Sequence, residues 1–492
     1  MQRVPAICRR AGWARRTLLA AAACLMLCAA TCGMASRAVA AEPSRPNILL
    51  LVSDDQRPDT IAALGNPHIH TPNLDRLVRE GVAFTRAVCA NPICTPSRAE
   101  ILTGCDGFTG GVLDFSQPIR AELATFAGTL QKAGYHTWYV GKWHNDGRPT
   151  QRGYEETRGL FRTGGAQWMP KDPRDWSGRP ATGYRGWVFQ DDQGNLFPER
   201  GVGLKPDIAA SFADAAIEFI QRKPERPFFL HVNFTSPHDP LLLPPGYEKR
   251  YAADKLPLPP NFLPEHPFDH GNLKGRDELL FQFPRTPEEV RGELAAYYAV
   301  ISYMDEQLGR ILAALRETGQ DSNTIVVFTS DHGLAVGSHG LRGKQSMYEH
   351  TINVPMIWRG PGIPQNERRQ AQVYLREIFP TCCELAGVDI PDTVQGESFA
   401  AVLRAVTKDG HHEEVFGYYR TFQRMIRNDR FKLIEYPAIG RVQLFDLKND
   451  PYERNDLADV AEHAQRIAAL RDKLHAWQRQ VNDPVLPRPA KE

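Results

Sequence analysis

The chain has 492 residues, 42% of them hydrophobic and 24% charged, a near-average globular composition that excludes a mainly disordered or fibrous protein. Its length suits one large α/β domain or two domains. Lys plus Arg number 59 and Asp plus Glu 58, and six Arg with no acidic residue fall within the first 40 positions. The remainder is therefore slightly acidic, without the strongly basic footprint of a nucleic-acid binder.

Residues 1–40 read as an export signal. Basic residues through Arg16 lead into a small, apolar stretch from Thr17 to Met34, and Ala38-Val39-Ala40 offers the small residues at which a signal peptidase cuts, before Ala41. The stretch is short of the ~20 clean apolar residues that a membrane span needs. A periplasmic or secreted protein, with no stable membrane span after signal cleavage, is expected. Cleavage would leave Cys89, Cys94, Cys105, Cys382 and Cys383, too few for a disulfide scaffold. Cys382 and Cys383, in an apolar helical stretch, read as core residues.

Pro46–Val52 is a continuous apolar run that ends in Ser53-Asp54-Asp55. Such a run suits a strand buried on both faces of a parallel sheet. The shape recurs at Thr137–Val140, ending in Gly-Lys-Trp-His, at Phe228–Phe234, ending in Thr-Ser-Pro-His, and at Thr324–Thr329, ending in Ser-Asp-His-Gly. Helical patterns lie between them at Pro72–Glu80, Leu123–Ala133, Ile208–Gln221 and Glu288–Glu317. The alternation predicts an α/β fold, a mostly parallel sheet with helices on both faces. Ligands bind at the carboxyl ends of strands in such sheets, where every one of these polar clusters falls.

Two segments interrupt the pattern. Residues 145–205 are rich in Gly, Arg and Trp with little periodicity, and 237–287 are rich in Pro and His; both read as long functional loops or disorder. After about Gly396, short aromatic and β-branched runs at Glu414–Tyr419, Phe422–Ile426, Phe431–Tyr436 and Val442–Leu447 predict an antiparallel sheet with a hairpin at Asn428-Asp429. A helical pattern from Ala458 to about Val481 follows. The expected organisation is a signal at 1–40, a catalytic domain at 41–395 and a smaller subdomain at 396–492.

The chemistry gathers at the strand ends. Asp54 and Asp55 are adjacent like charges that need a cation to hold them together, and carboxylate oxygens favour a hard ion, Ca²⁺ or Mg²⁺. Asp331-His332-Gly333 offers an oxygen and a nitrogen to the same ion. Cys94-Thr95-Pro96-Ser97-Arg98 precedes an apolar helical stretch, so Cys94 stands at a helix N-terminus, where N–H groups and the dipole favour anions and nucleophiles. Arg98 lies on the same face one turn later.

Cys94-Thr95-Pro96-Ser97-Arg98, then four residues, then Thr103-Gly104, resembles the first signature of the type I sulfatases, Cys-x-Pro-x-Arg-x₄-Thr-Gly. Gly134–His144 resembles their second signature, including its Gly-Lys-x-His ending. With the Asp-Asp start, the Ser-Pro-His segment and the Asp-His-Gly segment in order, the similarity covers most of residues 46–450. It implies an alkaline-phosphatase-like fold and oxidation of Cys94 to formylglycine by a formylglycine-generating or sulfatase-maturing enzyme. The aldehyde hydrate would present two hydroxyls on one carbon, one to attack sulfur and one to expel sulfate.

Carried over by resemblance, Asp54, Asp55, Asp331, His332 and modified Cys94 are the metal ligands, for one Ca²⁺ with Mg²⁺ as the alternative. Arg98 orients the nucleophile, Lys142 and Lys344 grip sulfate oxygens, His144 assists the hydrate, and His238 is the general acid to the leaving oxygen. His332 stands where many family members carry Asn, as in branches acting on sulfated sugars, iduronate-2-sulfatase-like ones among them. After Thr103-Gly104 the sequence continues Cys105-Asp106-Gly107-Phe108, a departure from the commoner turn. A sulfated carbohydrate is the expected substrate. Export and His332 favour it, and Trp168, Trp176, Trp187 and Tyr184 beside Arg162, Arg174, Arg179 and Arg185 offer stacking faces and anion-binding forks. The alternatives are an arylsulfatase, a phosphate or phosphonate monoester hydrolase of the same superfamily, and a non-catalytic glycan-binding relative, which predicts gaps in the constellation.

Overall fold

A computed structural model of the chain describes residues 45–165, 167, 173–405 and 410–486; the expected signal at 1–40 and Trp168 lie outside the described residues. From Arg45 onward the described residues form one compact unit. Eleven of its strands make one sheet. The middle is parallel, in the spatial order Thr324–Ser330, Asn47–Ser53, Phe228–Asn233, His136–Lys142, Glu156–Thr163. Antiparallel strands flank it: Asn353–Arg359 and then Val82–Val88 on one side, Trp187–Gln190 and then Leu196–Val202 on the other.

The first strand shows why the apolar run is unbroken. Ile48, Leu50 and Val52 enter one core, with Ile101 and Leu102 of helix Cys94–Thr103 and with Phe126, Leu130 and Phe379. Leu49 and Leu51 enter the opposite core, with Leu74, Phe212 and Leu308 of helices Pro72–Glu80, Ile208–Gln221 and Pro287–Glu317. Helices thus cover both faces, and each fully buried Leu or Ile contributes roughly 1.5–3 kcal/mol. The longest helix starts as its sequence implies. Pro287 takes the first turn, Thr286 accepts a hydrogen bond from the Glu289 N–H, and Glu288 and Glu289 face the positive end of the dipole.

Register places the polar ends. Ser53 pairs with Ser330, and Val52 with Asn233, so Asp54, Asp331 and the segment after Asn233 leave the sheet at one level. Gly141 pairs with Asn233 at a φ of 94°, and a Cβ there would strike the Asn233 carbonyl; only glycine lets that strand run so close before Lys142.

The C-terminal sheet is antiparallel, in the order Val415–Tyr419, Gln423–Arg427, Phe431–Tyr436, Arg441–Asp446, with the hairpin turning after Arg427 as expected. Helix Ala464–Gln480 covers one face through Leu470 and Leu474 on Ile426, Leu433 and Leu444. The other face, Met425, Ile434 and Phe445, packs on Met347, Tyr348 and Ile352. Those residues closely follow Lys344, so the small sheet backs the segment that carries it.

Residues 145–205 differ from expectation. Far from being one irregular loop, they contribute three strands, Glu156–Thr163, Trp187–Gln190 and Leu196–Val202, to the edge of the main sheet. The period-2 signal is masked because the outermost strand carries Pro198, Glu199 and Arg200, charges and a proline that keep an edge strand from pairing further.

Candidate active site

Strand ends, one helix N-terminus and two loops converge on Cys94. Asp54, Asp55, Asp331 and His332 are fully buried, and Cys94 is 1% exposed. Asp55 adopts a left-handed φ of 69° and is pinned from two sides. Its N–H donates to Asp331 Oδ1 at 3.1 Å, and Tyr297 of the long helix donates to its carbonyl. Ser97 Oγ donates to the Asp331 carbonyl at 2.6 Å, locking the helix that starts at Cys94 to the strand end. One turn in, Arg98 sends Nε to Asp331 Oδ2 at 3.1 Å and Nη2 to Asp54 Oδ1 at 3.2 Å, while Nη1 donates to Asn233.

Lysines complete the charge balance. Lys142 Nζ lies 2.7 Å from Asp54 Oδ2, and Lys344 Nζ lies 2.9 Å and 3.1 Å from the Asp55 oxygens and 3.5 Å from Cys94 Sγ. His332 Nε2 stands 3.3 Å from Cys94 Sγ. Its Nδ1, 3.1 Å from the Gly333 carbonyl, carries the proton donated there, so Nε2 is the atom presented to the site.

These neighbours set the protonation states. Burial alone would raise the Cys94 thiol, but Lys142, Lys344 and His332 outweigh it and hold the thiol well below its ordinary range. Burial pushes the Asp331 carboxyl up to about 7 despite Arg98 and His332. For Asp54 burial loses to Lys142, and the carboxyl is lowered. His332 is raised to about 9, because Asp331, Cys94 and Asp55 overcome the effect of burial. His238 is also raised, with Asp55 overcoming burial, whereas burial lowers His144.

A cavity of about 350 Å³ opens onto this cluster, with Cys94, Lys142, His144, His238 and Lys344 on its wall. All the residues expected at the site are brought together there or directly beneath it. They divide into layers. The ligand atoms of Asp54, Asp55, Cys94 and His332 all lie within 4.8 Å of one another. Asp331 sits behind, its Oδ1 accepting the N–H groups of Asp55 and His332 and its Oδ2 taken by Arg98. The buried, oxygen-rich donor set around Asp54 and Asp55 fits a hard divalent cation better than it fits zinc, which favours Cys and His ligands.

Other residues at the site were not anticipated in their roles. Tyr184 donates its hydroxyl to Asp54 and sets its ring edge-on to His238, with centroids 4.8 Å apart. Trp187 meets His144 edge-on at 5.1 Å. Arg276 and Asp277, a pair at 2.5 Å from the Pro- and His-rich loop, line the cavity, and Arg276 also pairs with Asp239 beside His238. Tyr184 and Trp187 stand out in the sequence only as stacking faces, and Arg276 and Asp277 carry no local signal in their irregular segment. The insertion's Trp and Arg separate accordingly. Tyr184 and Trp187 reach the cavity, but Trp176 and Arg179 do not. Trp176 Nε1 donates to Glu293 Oε2 at 2.6 Å, and Arg179 pairs with the same carboxylate at 2.5 Å and with Asp175 at 2.8 Å. They fasten the loop to the long helix instead of facing the reacting centre.

Comparison with known proteins agrees with this geometry. A profile described as Sulfatase matches residues 46–388, and one described as N-sulphoglucosamine sulphohydrolase, C-terminal, matches 337–480. An arylsulfatase of Clostridium perfringens is 31% identical over 458 residues, covering 87% of this chain and 93% of its own. An N-acetylglucosamine-6-O-sulfatase of Bacteroides thetaiotaomicron is 28% identical, covering 90% and 88%. A solved structure of a protein in complex with its substrate D-glucosamine-2-N,6-O-disulfate superposes with a TM-score of 0.73 at 25% identity, covering 90% of this chain and 99% of its own. The fold is thus the alkaline-phosphatase-like α/β fold, mostly parallel at its centre with a C-terminal antiparallel sheet. The chain belongs to the sulfatase family and is a sulfuric ester hydrolase.

Proposed function

We propose that this sulfatase releases inorganic sulfate from a sulfated carbohydrate, with residue 94 as the nucleophile in formylglycine form and one Ca²⁺ held chiefly by oxygens of Asp54, Asp55 and Asp331, beside His332 and residue 94. The observation that carries the reading is the surroundings of Cys94: a helix N-terminus, two lysines and an imidazole converge on one side chain at the floor of the cavity. The hydrated aldehyde would supply a nucleophilic hydroxyl in place of the thiol. A bound Ca²⁺ would add positive charge beside the reacting group; Mg²⁺ is the alternative.

The chain's own residues do the rest. Lys142 and Lys344 face the cavity as fixed ammonium donors for an anionic substrate, stabilising charge where a sulfuryl group transfers. Arg98, held by Asp331, Asp54 and Asn233, fixes the helix end that carries residue 94. His238 Nδ1 donates to the Asp239 carbonyl at 2.6 Å, so its Nε2, 3.9 Å from Asp55, is free to hold the proton needed by a leaving oxygen. His144 stands close enough to Cys94 to take or return a proton at the nucleophile. Arg276 and the Tyr184 and Trp187 rings suit the polar and apolar faces of a sugar.

The proposal includes export of the chain after loss of residues 1–40, maturation of Cys94 by a separate enzyme, and a catalytic domain at 41–395 with a subdomain at 396–492. Among the described residues no helix is long and apolar enough to cross a membrane. Mass spectrometry of the peptide holding Cys94 from active protein should show the aldehyde or its hydrate; full activity from free thiol would sink the nucleophile assignment. Sulfate release should be faster from sulfated mono- or oligosaccharides than from 4-nitrophenyl sulfate or a phenylphosphonate ester. A preference for either small ester would move the substrate assignment.

A further inference from the structure

A second convergence of metal-ligating side chains lies outside the cavity. Glu377 closes the single turn Leu375–Glu377 that leads into helix Ile378–Ala386, and His411 and His412 lead into strand Val415–Tyr419. The ligand atoms of Glu377, His411 and His412 lie within 4.8 Å of one another. His412 Nε2 is 2.6 Å from Glu377 Oε1, and His411 Nε2 is 3.2 Å from Oε2. The two rings are 4.3 Å apart and inclined at 62°, so neighbouring imidazoles turn the same nitrogen toward one carboxylate.

Although His412 Nε2 bonds Oε1 well, two observations and a charge argument favour an ion over protons alone in this cluster. Glu377 is 1% exposed, and its Oε2 already accepts the Tyr374 N–H at 2.8 Å. The His411 side chain is only 9% exposed, yet its Nε2 is buried without an aligned hydrogen-bond partner. Two imidazolium ions so close would repel, whereas a bound dication draws a lone pair from each neutral ring and keeps Glu377 ionised. A single dication satisfies both nitrogens and the carboxylate together. His411, His412 and Glu413 also border a cleft of about 1040 Å³, which leaves room for water or an exogenous ligand beside the cluster.

We propose that Glu377, His411 and His412 bind one Zn²⁺ with an open position toward this cleft. Two imidazole nitrogens and a carboxylate suit zinc, and three protein ligands leave one of its four tetrahedral positions free. Ligand atoms placed tetrahedrally at 2.0–2.1 Å stand about 3.3 Å apart. The present contacts of 3.2 Å and 2.6 Å run to different Glu377 oxygens, so the carboxylate need only turn to offer one oxygen to an ion between the rings. The ion would tie the start of helix Ile378–Ala386 to the first strand of the small sheet.

The full chain, saturated with Ca²⁺ so that the Asp54–Asp55 cluster is occupied, should be titrated with Zn²⁺ and separately with Co²⁺. Wild type should retain one zinc after dialysis, show the visible absorption of a low-coordinate Co²⁺, and gain about 2–4 °C in thermal midpoint with Zn²⁺. The His411→Ala/His412→Ala variant should lose all three effects while still hydrolysing sulfate esters. If that variant misfolds, His411→Ala alone should lower zinc affinity at least tenfold. Equal zinc retention in wild type and variants, or no retention by wild type at micromolar Zn²⁺, overturns the proposal.

Discussion

Around Asp54 and Asp55 the buried cations arrive singly from separate segments: Lys142 from a strand end, Lys344 from a loop, Arg98 from a helix. Around Glu293 of the long helix they arrive as arginine forks, Arg342 at 2.6 Å and Arg179 at 2.5 Å, with the Trp176 indole on the same carboxylate. Both clusters are buried ion networks of similar composition. The second is closed, since each Glu293 oxygen is taken and burial's upward push on its carboxyl is overcome by Arg342 and Arg179. The first opens onto a cavity, and Lys344 reaches past its carboxylate to Cys94. Fork geometry fixes parts of the protein to each other, whereas a lysine acts as a point charge that a substrate can share. An insertion rich in Arg and Trp is therefore no guide to binding until its partners are known.

The sharpest way to break this contrast is to remove one member of each cluster. Cys94→Ala should lower sulfate-ester hydrolysis by at least ~10⁴-fold, since it removes the nucleophile, while the thermal midpoint stays within about 2 °C because Lys142 keeps Asp54, and Lys344 and His332 keep Asp55. Residual turnover within tenfold of wild type would place the nucleophile elsewhere. Glu293→Ala should do the reverse. It takes from Arg342, buried and 1% exposed, its closest partner and leaves Asp239 at 3.6 Å, and should cost about 3–5 kcal/mol in urea unfolding while kcat per folded molecule changes less than twofold. A lost kcat at unchanged stability would make the two networks one. Trp176→Phe is a milder version, removing a single indole donor from Glu293. About 1 kcal/mol of stability should go, with equal, small effects on a sulfated oligosaccharide and on 4-nitrophenyl sulfate.

How much of the molecule was legible in its sequence follows the same division. Asn47–Ser53 and Thr324–Ser330 are buried on both faces, so their apolar runs are unbroken and their polar ends stand out. The helix from Cys94 and the lone lysine after Gly141 announce themselves by fixed spacing. Asn233, Tyr184 and Arg276 do not. Each acts through a contact made by long-range folding: Tyr184 reaches Asp54 across 130 positions of chain, and Asn233 reaches Arg98 across 135. The layering of Asp331 behind Asp55 was hidden for another reason. Adjacent positions in sequence present their carboxylates in different directions, and only the register of Ser53 with Ser330 decides which one meets Arg98. The edge strands within 145–205 were obscured by the charges and proline that protect an edge.

Glu100 offers the most discriminating test, because it is a buried carboxylate with neither a closed fork nor a lysine. It lies on the helix that begins at Cys94 and is 1% exposed. Its Oε1 accepts from the Tyr418 hydroxyl at 2.9 Å, its Oε2 has no hydrogen-bond partner, and Arg376 approaches only to 3.8 Å. Burial pushes its pKa up to about 7, more than Arg376 brings it down. A carboxyl raised in the folded state binds a proton that the unfolded chain has released. Its favourable contribution is thus complete below the ordinary glutamate pKa near 4.5 and is lost as pH rises through 7. Glu100→Gln keeps the shape and removes the charge, so urea unfolding should show a flatter stability profile between pH 4.5 and 7. At pH 8 the variant should be the more stable by about 1–3 kcal/mol, since each tenfold change in proton affinity is worth about 1.4 kcal/mol. Parallel profiles would mean that Arg376 closes on Glu100 in solution and that this carboxylate, too, belongs with the closed network around Glu293.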